Sequence, residues 1–310
     1  MKGNYIDQKT YERVGNVRVA FIGLGVMGAS MAGHLAKAGC SIKVFNRNIE
    51  KSIYWTNSFK SYDATYVENL SDVSKDADFV ISCVGKDPDV EEITTGTNGC
   101  FKFMKKNSIF IDHTTTSSET AIKLFNAANN FEINFIDAPV SGGNIGARAG
   151  QLSIMCGGKQ EIFEKSKKIL SLYSKTVALI GKSGSGQLAK MVNQICIAGL
   201  IQGLAEGINF GKMAGLDMSK VVDVIKNGAA GSWQMSNRSK TMINGKYDFG
   251  FAVDLMRKDL AILLKKGDLI NAELPVTSVV DKFYEDLQKI GHGKSDTTSL
   301  LTRLEKKNKQ

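Results

Sequence analysis

A glycine-rich turn between an apolar run and a helical pattern constrains the fold of this chain more than any other feature. Gly23, Gly25 and Gly28 follow directly on the apolar run Arg18–Ile22, and helical spacing begins within the same segment. In this context the first glycine permits a tight turn, the second lets the backbone approach a pyrophosphate, and the third lets helix and strand pack closely. The N-terminus of the helix adds free N–H groups and a partial positive charge. The turn therefore predicts a dinucleotide site formed by Gly23, Leu24, Gly25, Val26, Met27 and Gly28.

Short apolar runs alternate with helical patterns through residues 17–181. Most runs are too continuously apolar for a strand with one solvent-exposed face, which favours a parallel sheet covered by helices on both sides. After a glycine-rich stretch at 181–186 a long helical pattern begins, and no further β-run follows. We therefore predict an α/β N-terminal Rossmann-type doubly wound sheet and an all-α C-terminal domain. The predicted strands are 17–24, 41–46, 78–84, 108–113, 134–140, 152–157 and 175–180, and the first predicted helices are 27–38, 49–59 and 118–129.

The same patterns predict the domain organisation. Residues 1–16 are polar and mixed in charge, so we expect a loosely ordered N-terminal extension. Residues 17–181 form the predicted NAD(P)-binding Rossmann domain, and residues 182–310 a helical substrate and oligomerisation domain. The helical pattern 188–214 carries apolar residues on several faces, too many for one buried stripe, which favours a homodimer or a homotetramer.

Composition and charge exclude several classes of function. The net charge of +9 over 310 residues suggests nucleic-acid binding, but the lysine pairs are scattered and lack interleaved aromatics, so we predict no nucleic-acid partner. No apolar run approaches the roughly 18 residues of a membrane span, and the N-terminus has no signal-peptide core. We therefore expect a cytoplasmic protein with no membrane partner. Five widely spaced cysteines and three scattered histidines predict neither a disulfide framework nor a metal site.

The residues that end the second predicted strand decide which dinucleotide is bound. An acidic side chain there would hold the ribose 2′-hydroxyl of NAD. This chain has Asn46 and Arg47 instead. Asparagine removes the charge that would repel a 2′-phosphate, and arginine pairs well with phosphate, so NADP is the favoured cofactor. The alternative is that Arg47 merely caps the strand, in which case NAD binds as well.

Two further segments offer groups for chemistry on a substrate. Ser141, Gly142 and Gly143 follow the strand 134–140, at the kind of strand end where ligands of open α/β sheets collect, and their hydroxyl and backbone donors suit a small carboxylate-bearing substrate. The alternative is a simple loop. Lys190 and Asn193 are three residues apart, so a helix places them on one face. In a cleft Lys190 would transfer protons, whereas on an exposed helix it would be an ordinary solvated lysine.

Four ordered motifs carry a resemblance to a known family. They are FIGLGVMGASMAGHLAKAG from Phe21, DAPVSGG from Asp137, GSGQLAKMVNQ from Gly184 and DFGFAVDLMRKDL from Asp248. Over about residues 17–301 the chain resembles the β-hydroxyacid dehydrogenase family. The family includes 3-hydroxyisobutyrate dehydrogenase and tartronate semialdehyde reductase, with glyoxylate/succinic semialdehyde reductases close by.

The resemblance implies roles for individual residues. It implies that Lys190 is the catalytic acid/base, that Asn193 binds substrate beside it, and that Ser141, Gly142 and Gly143 hold the substrate carboxylate. These roles predict hydride transfer between NAD(P) and a short 3-hydroxy acid or its semialdehyde, with NADPH-dependent reduction as the favoured direction.

Cofactor contacts are implied in the same way. Lys258 is implied to reach the nicotinamide ribose, and Val84 and Thr115 to line the cofactor. The chain departs from the family pattern at His34, where many relatives carry asparagine, and at Gln194, which replaces a second asparagine. The polar contacts around Gln194 therefore stay open at this point.

Three alternative functions remain compatible with the sequence. A 6-phosphogluconate-type oxidative decarboxylase shares the architecture, but it needs phosphate-binding arginines and the helical half has only Arg238, Arg257 and Arg303. An imine reductase is related, although such enzymes commonly lack a lysine at the position of Lys190. A non-catalytic cofactor-binding interaction protein is the alternative of another class.

Overall fold

The computed structural model describes residues 5–307 of the chain, with side chains to Glu305. The chain divides into two compact units, Met1–Lys190 and Met191–Gln310. The strands are β1 (Arg18–Ile22), β2 (Ser41–Phe45), β3 (Ala64–Tyr66), β4 (Phe79–Ser82), β5 (Ile109–Asp112), β6 (Asn134–Asp137), β7 (Val140–Ser141), β8 (Leu152–Gly157) and β9 (Ser174–Gly181). The helices are α1 (Gly28–Lys37), α2 (Ile49–Ser58), α3 (Leu70–Ser74), α4 (Asp87–Thr95), α5 (Ser118–Asn130), α6 (Gly143–Ala149), α7 (Gln160–Leu170), α8 (Ser185–Met213), α9 (Met218–Ile225), α10 (Trp233–Ile243), α11 (Val253–Leu269), α12 (Pro275–Lys289) and α13 (Leu300–Lys307), with short 3-10 helices at Cys100–Lys102 and Thr297–Ser299.

The strands of the first unit form one sheet in the order β3-β2-β1-β4-β5-β6-β8-β7, with β9 beside β8. Strands β1 to β6 are parallel and follow the 3-2-1-4-5-6 order of a Rossmann fold, which confirms the predicted doubly wound sheet. Strands β3 and β7 have only three and two residues, too short for an apolar period to reveal them.

The far edge of the sheet differs from the predicted parallel arrangement. Strand β8 runs antiparallel to β6, with Asp137 opposite Gly157. The connection from β6 to β8 holds only the short strand β7 and the seven-residue helix α6. A parallel neighbour is usually reached through a full crossover helix, which this connection lacks, whereas an antiparallel neighbour needs none. The alternation of apolar runs does not distinguish these two connections.

Both faces of the sheet are buried, and β1 shows how. Val19 and Phe21 belong to the hydrophobic cluster on one face, and Ala20 and Ile22 to the cluster on the other. Each fully buried large apolar side chain contributes roughly 1.5–3 kcal/mol relative to exposure. A strand buried on both faces cannot alternate apolar with polar residues, which explains the continuous apolar run before the glycine-rich turn.

The described part of the N-terminal extension is packed against the first unit. Ile6 and Val14 are buried in the sheet cluster, and Lys9 Nζ donates to the carbonyl oxygens of Gly150 at 2.9 Å and Leu172 at 2.8 Å. Residues 5–16 are therefore not loosely ordered as predicted. The two apolar side chains pack into the core, and the lysine binds two backbone carbonyl oxygens. Residues 1–4 of the same prediction lie outside the described residues.

The second unit is a helical cluster centred on α8, α11 and α12. Within the described chain α8 is the one helix long and apolar enough to cross a membrane, a test that buried core helices also pass. Ala198, Ile201, Ala205 and Ile208 of α8 are buried in the core of the second unit. On this side α8 packs as a core helix does, and the predicted all-α domain is confirmed.

Candidate functional site

The glycine-rich turn after β1 fits a dinucleotide. Gly23 has a φ of 99°, and a Cβ on it would overlap the carbonyl oxygen of Cys83, while a Cβ on Gly28 would overlap the carbonyl oxygen of Gly23. A Cβ on Gly25 would meet nothing within 4 Å. Gly23 and Gly28 thus allow the backbone segments of the turn to lie in close contact. At Gly25 the backbone faces open space. That is the cradle a pyrophosphate requires at the start of α1.

Asn46 and Arg47 lie beside this turn. The Oδ1 atom of Asn46 accepts from the backbone N–H of Leu24 at 2.9 Å, and its Nδ2 donates to the carbonyl oxygen of Asn48 at 3.0 Å. The Arg47 side chain is 95% exposed, with Nη1 4.0 Å from Oδ1 of Asp89. The structure therefore brings the predicted ribose-binding pair to the phosphate-binding turn, with one side chain fixed and the other extended into solvent.

The residues that follow β4 and β5 lie beside the glycine-rich turn. The backbone N–H of Val84 donates to Oγ1 of Thr114 at 3.0 Å, which joins the two strand ends. A Cβ on Gly23 would lie 3.1 Å from Cγ1 of Val84. Thr115 follows Thr114 directly and is half-buried. The predicted cofactor-lining residues Val84 and Thr115 are thus at the same carboxyl edge of the sheet as the turn.

Helix α8 begins on a carboxylate that belongs to β6. Asp137 Oδ1 accepts from the backbone N–H of Gly184 at 2.8 Å, and Oδ2 accepts from that of Gln187 at 3.1 Å. Burial raises the pKa of Asp137, and these N–H groups partly offset the rise. A Cβ on Gly186 would overlap the carbonyl oxygen of Met155 and lie 2.7 Å from that of Asp137. This glycine-rich segment therefore lies in close contact with the sheet.

The side chain of Gln187 fastens the first turn of α8 to the end of β5. Its Nε2 donates to the carbonyl oxygen of Thr114 at 2.8 Å, and its Oε1 accepts from the N–H of Thr116 at 3.1 Å. Lys190 follows three residues later on the same helical face, and it is only 7% exposed. The solvated-lysine alternative is wrong, because Lys190 is buried.

The predicted carboxylate-binding loop starts four residues after Asp137. Ser141 ends β7, Gly142 has a φ of 130°, and Gly143 has a φ of 60° at the start of α6. These two backbone conformations favour glycine strongly. All three residues are half-buried. The loop that carries them thus leaves the same strand end that caps α8.

In the second unit a chain of hydrogen bonds fixes Asn193. Its Nδ2 donates to Oε1 of Gln194 at 2.8 Å, and Nε2 of Gln194 donates to Oδ2 of Asp259 at 2.7 Å. Gln194 is 1% exposed. Nζ of Lys258 lies 3.2 Å from Oδ1 of Asp259. Gln194 thus forms a buried link to α11, and the cofactor contact implied for Lys258 stays a prediction.

Three residues of this arrangement were not predicted from the sequence as functional positions: Asp137, Gln187 and Asp259. Asp137 and Gln187 lie inside quoted motifs, but a carboxylate that caps a helix 48 residues later leaves no periodic signal. Their partners are backbone groups, whose positions depend on the folded sheet. Only the glycines around Gln187 indicate that this helix must begin in close contact with another element.

Replacement of Gln187 by methionine should destabilise the first unit by about 2–4 kcal/mol, because two hydrogen bonds are lost and the Thr114 carbonyl and Thr116 N–H are left buried without a partner. Urea unfolding measures the loss. The matched control is Gln151→Met at an exposed position, which should change the unfolding free energy by less than about 0.5 kcal/mol. Equal stability of the two variants would contradict the anchoring role.

Two family models match consecutive parts of the chain. Residues 18–181 match the model described as the NAD-binding domain of 6-phosphogluconate dehydrogenase. Residues 184–304 match the model described as NAD-binding of NADP-dependent 3-hydroxyisobutyrate dehydrogenase. The chain belongs to the 3-hydroxyisobutyrate dehydrogenase family. The resemblance drawn from the four motifs is thereby confirmed, and the chain is an NAD(P)-dependent oxidoreductase of the hydroxyacid dehydrogenase class.

Relatives of this family match the chain over most of its length. It is 48% identical to an uncharacterized oxidoreductase of Shewanella frigidimarina (strain NCIMB 400), over 93% of this chain and 98% of that protein. It is 32% identical to 2-hydroxy-3-oxopropionate reductase of Escherichia coli (strain K12), over 93% and 97%. A crystal structure of 3-hydroxyisobutyrate dehydrogenase from Salmonella typhimurium superposes with a TM-score of 0.83 at 25% identity, over 93% and 99%.

Proposed function

We propose that this protein interconverts a short 3-hydroxy acid and its semialdehyde, with Lys190 as the general acid/base. The observation that carries the proposal is the burial of Lys190 one turn after Gln187, whose side chain is bonded to the end of β5. Lysines are almost never this buried without a role or a partner that compensates the cost of desolvation. A buried amine at the carboxyl edge of a dinucleotide-binding sheet is suited to proton transfer.

The proposed mechanism divides the work among three groups of residues. The nicotinamide, when bound, accepts or donates the hydride. Lys190 takes the proton of the substrate hydroxyl during oxidation and returns it to the carbonyl oxygen during reduction. Asn193, which follows Lys190 on the same helix, holds the substrate oxygen, and Ser141, Gly142 and Gly143 hold the carboxylate. Fixing both ends of a small substrate removes most of its orientational freedom before reaction.

The cofactor side of the proposal rests on Asn46 and Arg47. The turn from Gly23 to Gly28 would hold the pyrophosphate, and Arg47, extended into solvent, would pair with a 2′-phosphate. We therefore propose NADPH as the preferred coenzyme and reduction as the favoured direction.

Two further observations bear on substrate and assembly. The Escherichia coli relative is named for 2-hydroxy-3-oxopropionate, a short semialdehyde, which supports a substrate of that size. On α8, Leu200, Phe210 and Met213 are exposed apolar side chains, which supports the proposal of a homodimer or homotetramer.

A coenzyme-consumption assay tests the function. Short aldehydes that carry a carboxylate should be reduced, with NADPH preferred over NADH by about tenfold or more. The matched controls are aldehydes of equal length without a carboxylate, such as propanal against malonate semialdehyde, which should react at least about tenfold more slowly. Turnover of cyclic imines alone, or of none of these compounds, would count against the proposal.

A further inference from the structure

The helical unit contains three arginines, and two of them are paired with carboxylates. Arg257 forms an ion pair with Asp281, and Arg303 Nε lies 2.9 Å from Oδ2 of Asp286. Arg238 differs: no carboxylate among the described residues lies within ion-pair distance of its guanidinium, although the residue is only 7% exposed. A buried cation is costly unless something negative compensates it.

Two aromatic rings flank Arg238. Its guanidinium carbon lies 5.2 Å from the ring centre of Trp233 and 5.0 Å from that of Phe249. Among the described residues the side-chain nitrogens of Arg238 are not among the enclosed atoms that lack a hydrogen-bond partner, and no side-chain hydrogen bond of Arg238 is seen, so these nitrogens retain some accessible surface. Two rings therefore hold the planar group in place and leave its donors available to a ligand.

The nearby carboxylate of Asp296 is occupied elsewhere. Oδ2 accepts from the backbone N–H of Phe251 at 2.9 Å, and Oδ1 accepts from the N–H of Thr298 at 3.1 Å and from its hydroxyl at 2.5 Å. A Cβ on Gly250 would overlap Asp296 Oδ2 and lie 3.4 Å from Nη2 of Arg238. Gly250 thus lets the Asp296 carboxylate lie close to the backbone on the side that faces Arg238, without forming an ion pair with it.

Arg238 lies at the end of α11 to which Asn193 is connected. Gly250 precedes α11 by three residues, and Gln194, the partner of Asn193, contacts Met256 in the first turn of that helix and Asp259 in the second. The guanidinium and the proposed substrate amide are therefore linked to the same helix end within the second unit. This is the placement expected of a group that reads the remote end of a substrate.

We propose that Arg238 binds a second carboxylate of the substrate, so that the enzyme prefers dicarboxylic 3-hydroxy acids over monocarboxylic ones. The proposal rests on the proposed function and names its substrate class. Arginine pairs with carboxylate in a bidentate manner, and the flanking rings exclude water from the pair. A phosphate ester is disfavoured, because the other two arginines of the unit are paired with carboxylates. Arg238 would then be the only arginine of the unit available to bind the phosphate.

A pair of substrates tests the assignment: 2-(hydroxymethyl)glutarate and 3-hydroxyisobutyrate share the 3-hydroxy acid head, and the first carries an additional carboxymethyl group. The wild type should oxidise the dicarboxylate with a kcat/KM about tenfold or more above that for the monocarboxylate. Arg238→Met should lower kcat/KM for the dicarboxylate by about tenfold to a hundredfold and that for 3-hydroxyisobutyrate by less than about twofold. Arg238→Lys, which keeps the charge, should retain part of the preference.

The control variant is Arg303→Met, since Arg303 also covers an aromatic ring, that of Phe283, but has a carboxylate partner. It should leave the ratio of the two substrates unchanged. If Arg238→Met lowered kcat/KM equally for both substrates, or if the wild type showed no preference for the dicarboxylate, the inference about Arg238 would be overturned while the proposed function would stand. Turnover of neither substrate would overturn the proposed function instead. In that case calorimetric binding of glutarate decides the inference, which stands if Arg238→Met abolishes binding and fails if binding is unchanged.

Discussion

Replacement of Lys190 by methionine should lower kcat by a factor of about 10² to 10⁴, because methionine keeps most of the aliphatic stem but cannot transfer a proton. Lys190 is only 7% exposed, so a side chain of similar length preserves most of its packing and removes the amine. Binding of the coenzyme should persist, since none of the residues proposed to hold the pyrophosphate is altered. Steady-state kinetics with a semialdehyde substrate and fluorescence titration of NADPH measure the two effects separately.

Lys182→Met is the control for this experiment, because Lys182 is exposed and lies just before α8. It should leave kcat within about twofold of the wild type, as expected of a surface substitution. A Lys190→Met enzyme with normal turnover would show that another group moves the proton. A variant that lost coenzyme binding as well would show that Lys190 supports the site rather than the reaction.

The amino-acid sequence predicts the sheet better than it predicts the site. A strand buried on both faces, such as β1, is apolar throughout, and a glycine-rich turn between such a strand and a helix is typical of a dinucleotide site. The edge of the sheet depends on the short connection between β6 and β8 and on the two-residue strand β7, which leave no comparable pattern. Local regularity is therefore readable from the sequence, whereas the direction of an edge strand is not.

Burial of a functional side chain is the other quantity that the sequence does not supply. A lysine on an apolar helix has the same pattern whether it is exposed or buried, and only the folded structure shows that Lys190 is buried, one turn after the anchored Gln187. The same limit applies to Arg238, because the sequence does not show that no carboxylate of the described residues lies within ion-pair distance of its guanidinium. A long-range contact between single polar groups produces no repeating pattern in the sequence. Only the folded structure reveals such contacts.

The double substitution Asn46→Asp with Arg47→Ala should reverse the coenzyme preference, shifting the NADPH-to-NADH ratio of kcat/KM by on the order of a hundredfold. Loss of the arginine removes a charged hydrogen bond to the 2′-phosphate, worth about 1.5–3 kcal/mol, and the new carboxylate repels that phosphate while accepting from the ribose hydroxyl of NADH. Aspartate should keep the contact to the turn, because Oδ1 of residue 46 accepts from the N–H of Leu24.

The comparison variant is Lys51→Ala, which removes an exposed positive charge from the first turn of α2. If general electrostatic attraction explained the preference for NADPH, this variant and Arg47→Ala would lower the ratio equally. A specific pair predicts instead that Lys51→Ala changes the ratio by less than about twofold, since exposed charges interact weakly across water. An unchanged ratio in the double variant would show that Arg47 only caps the strand and that the coenzyme is selected by other residues.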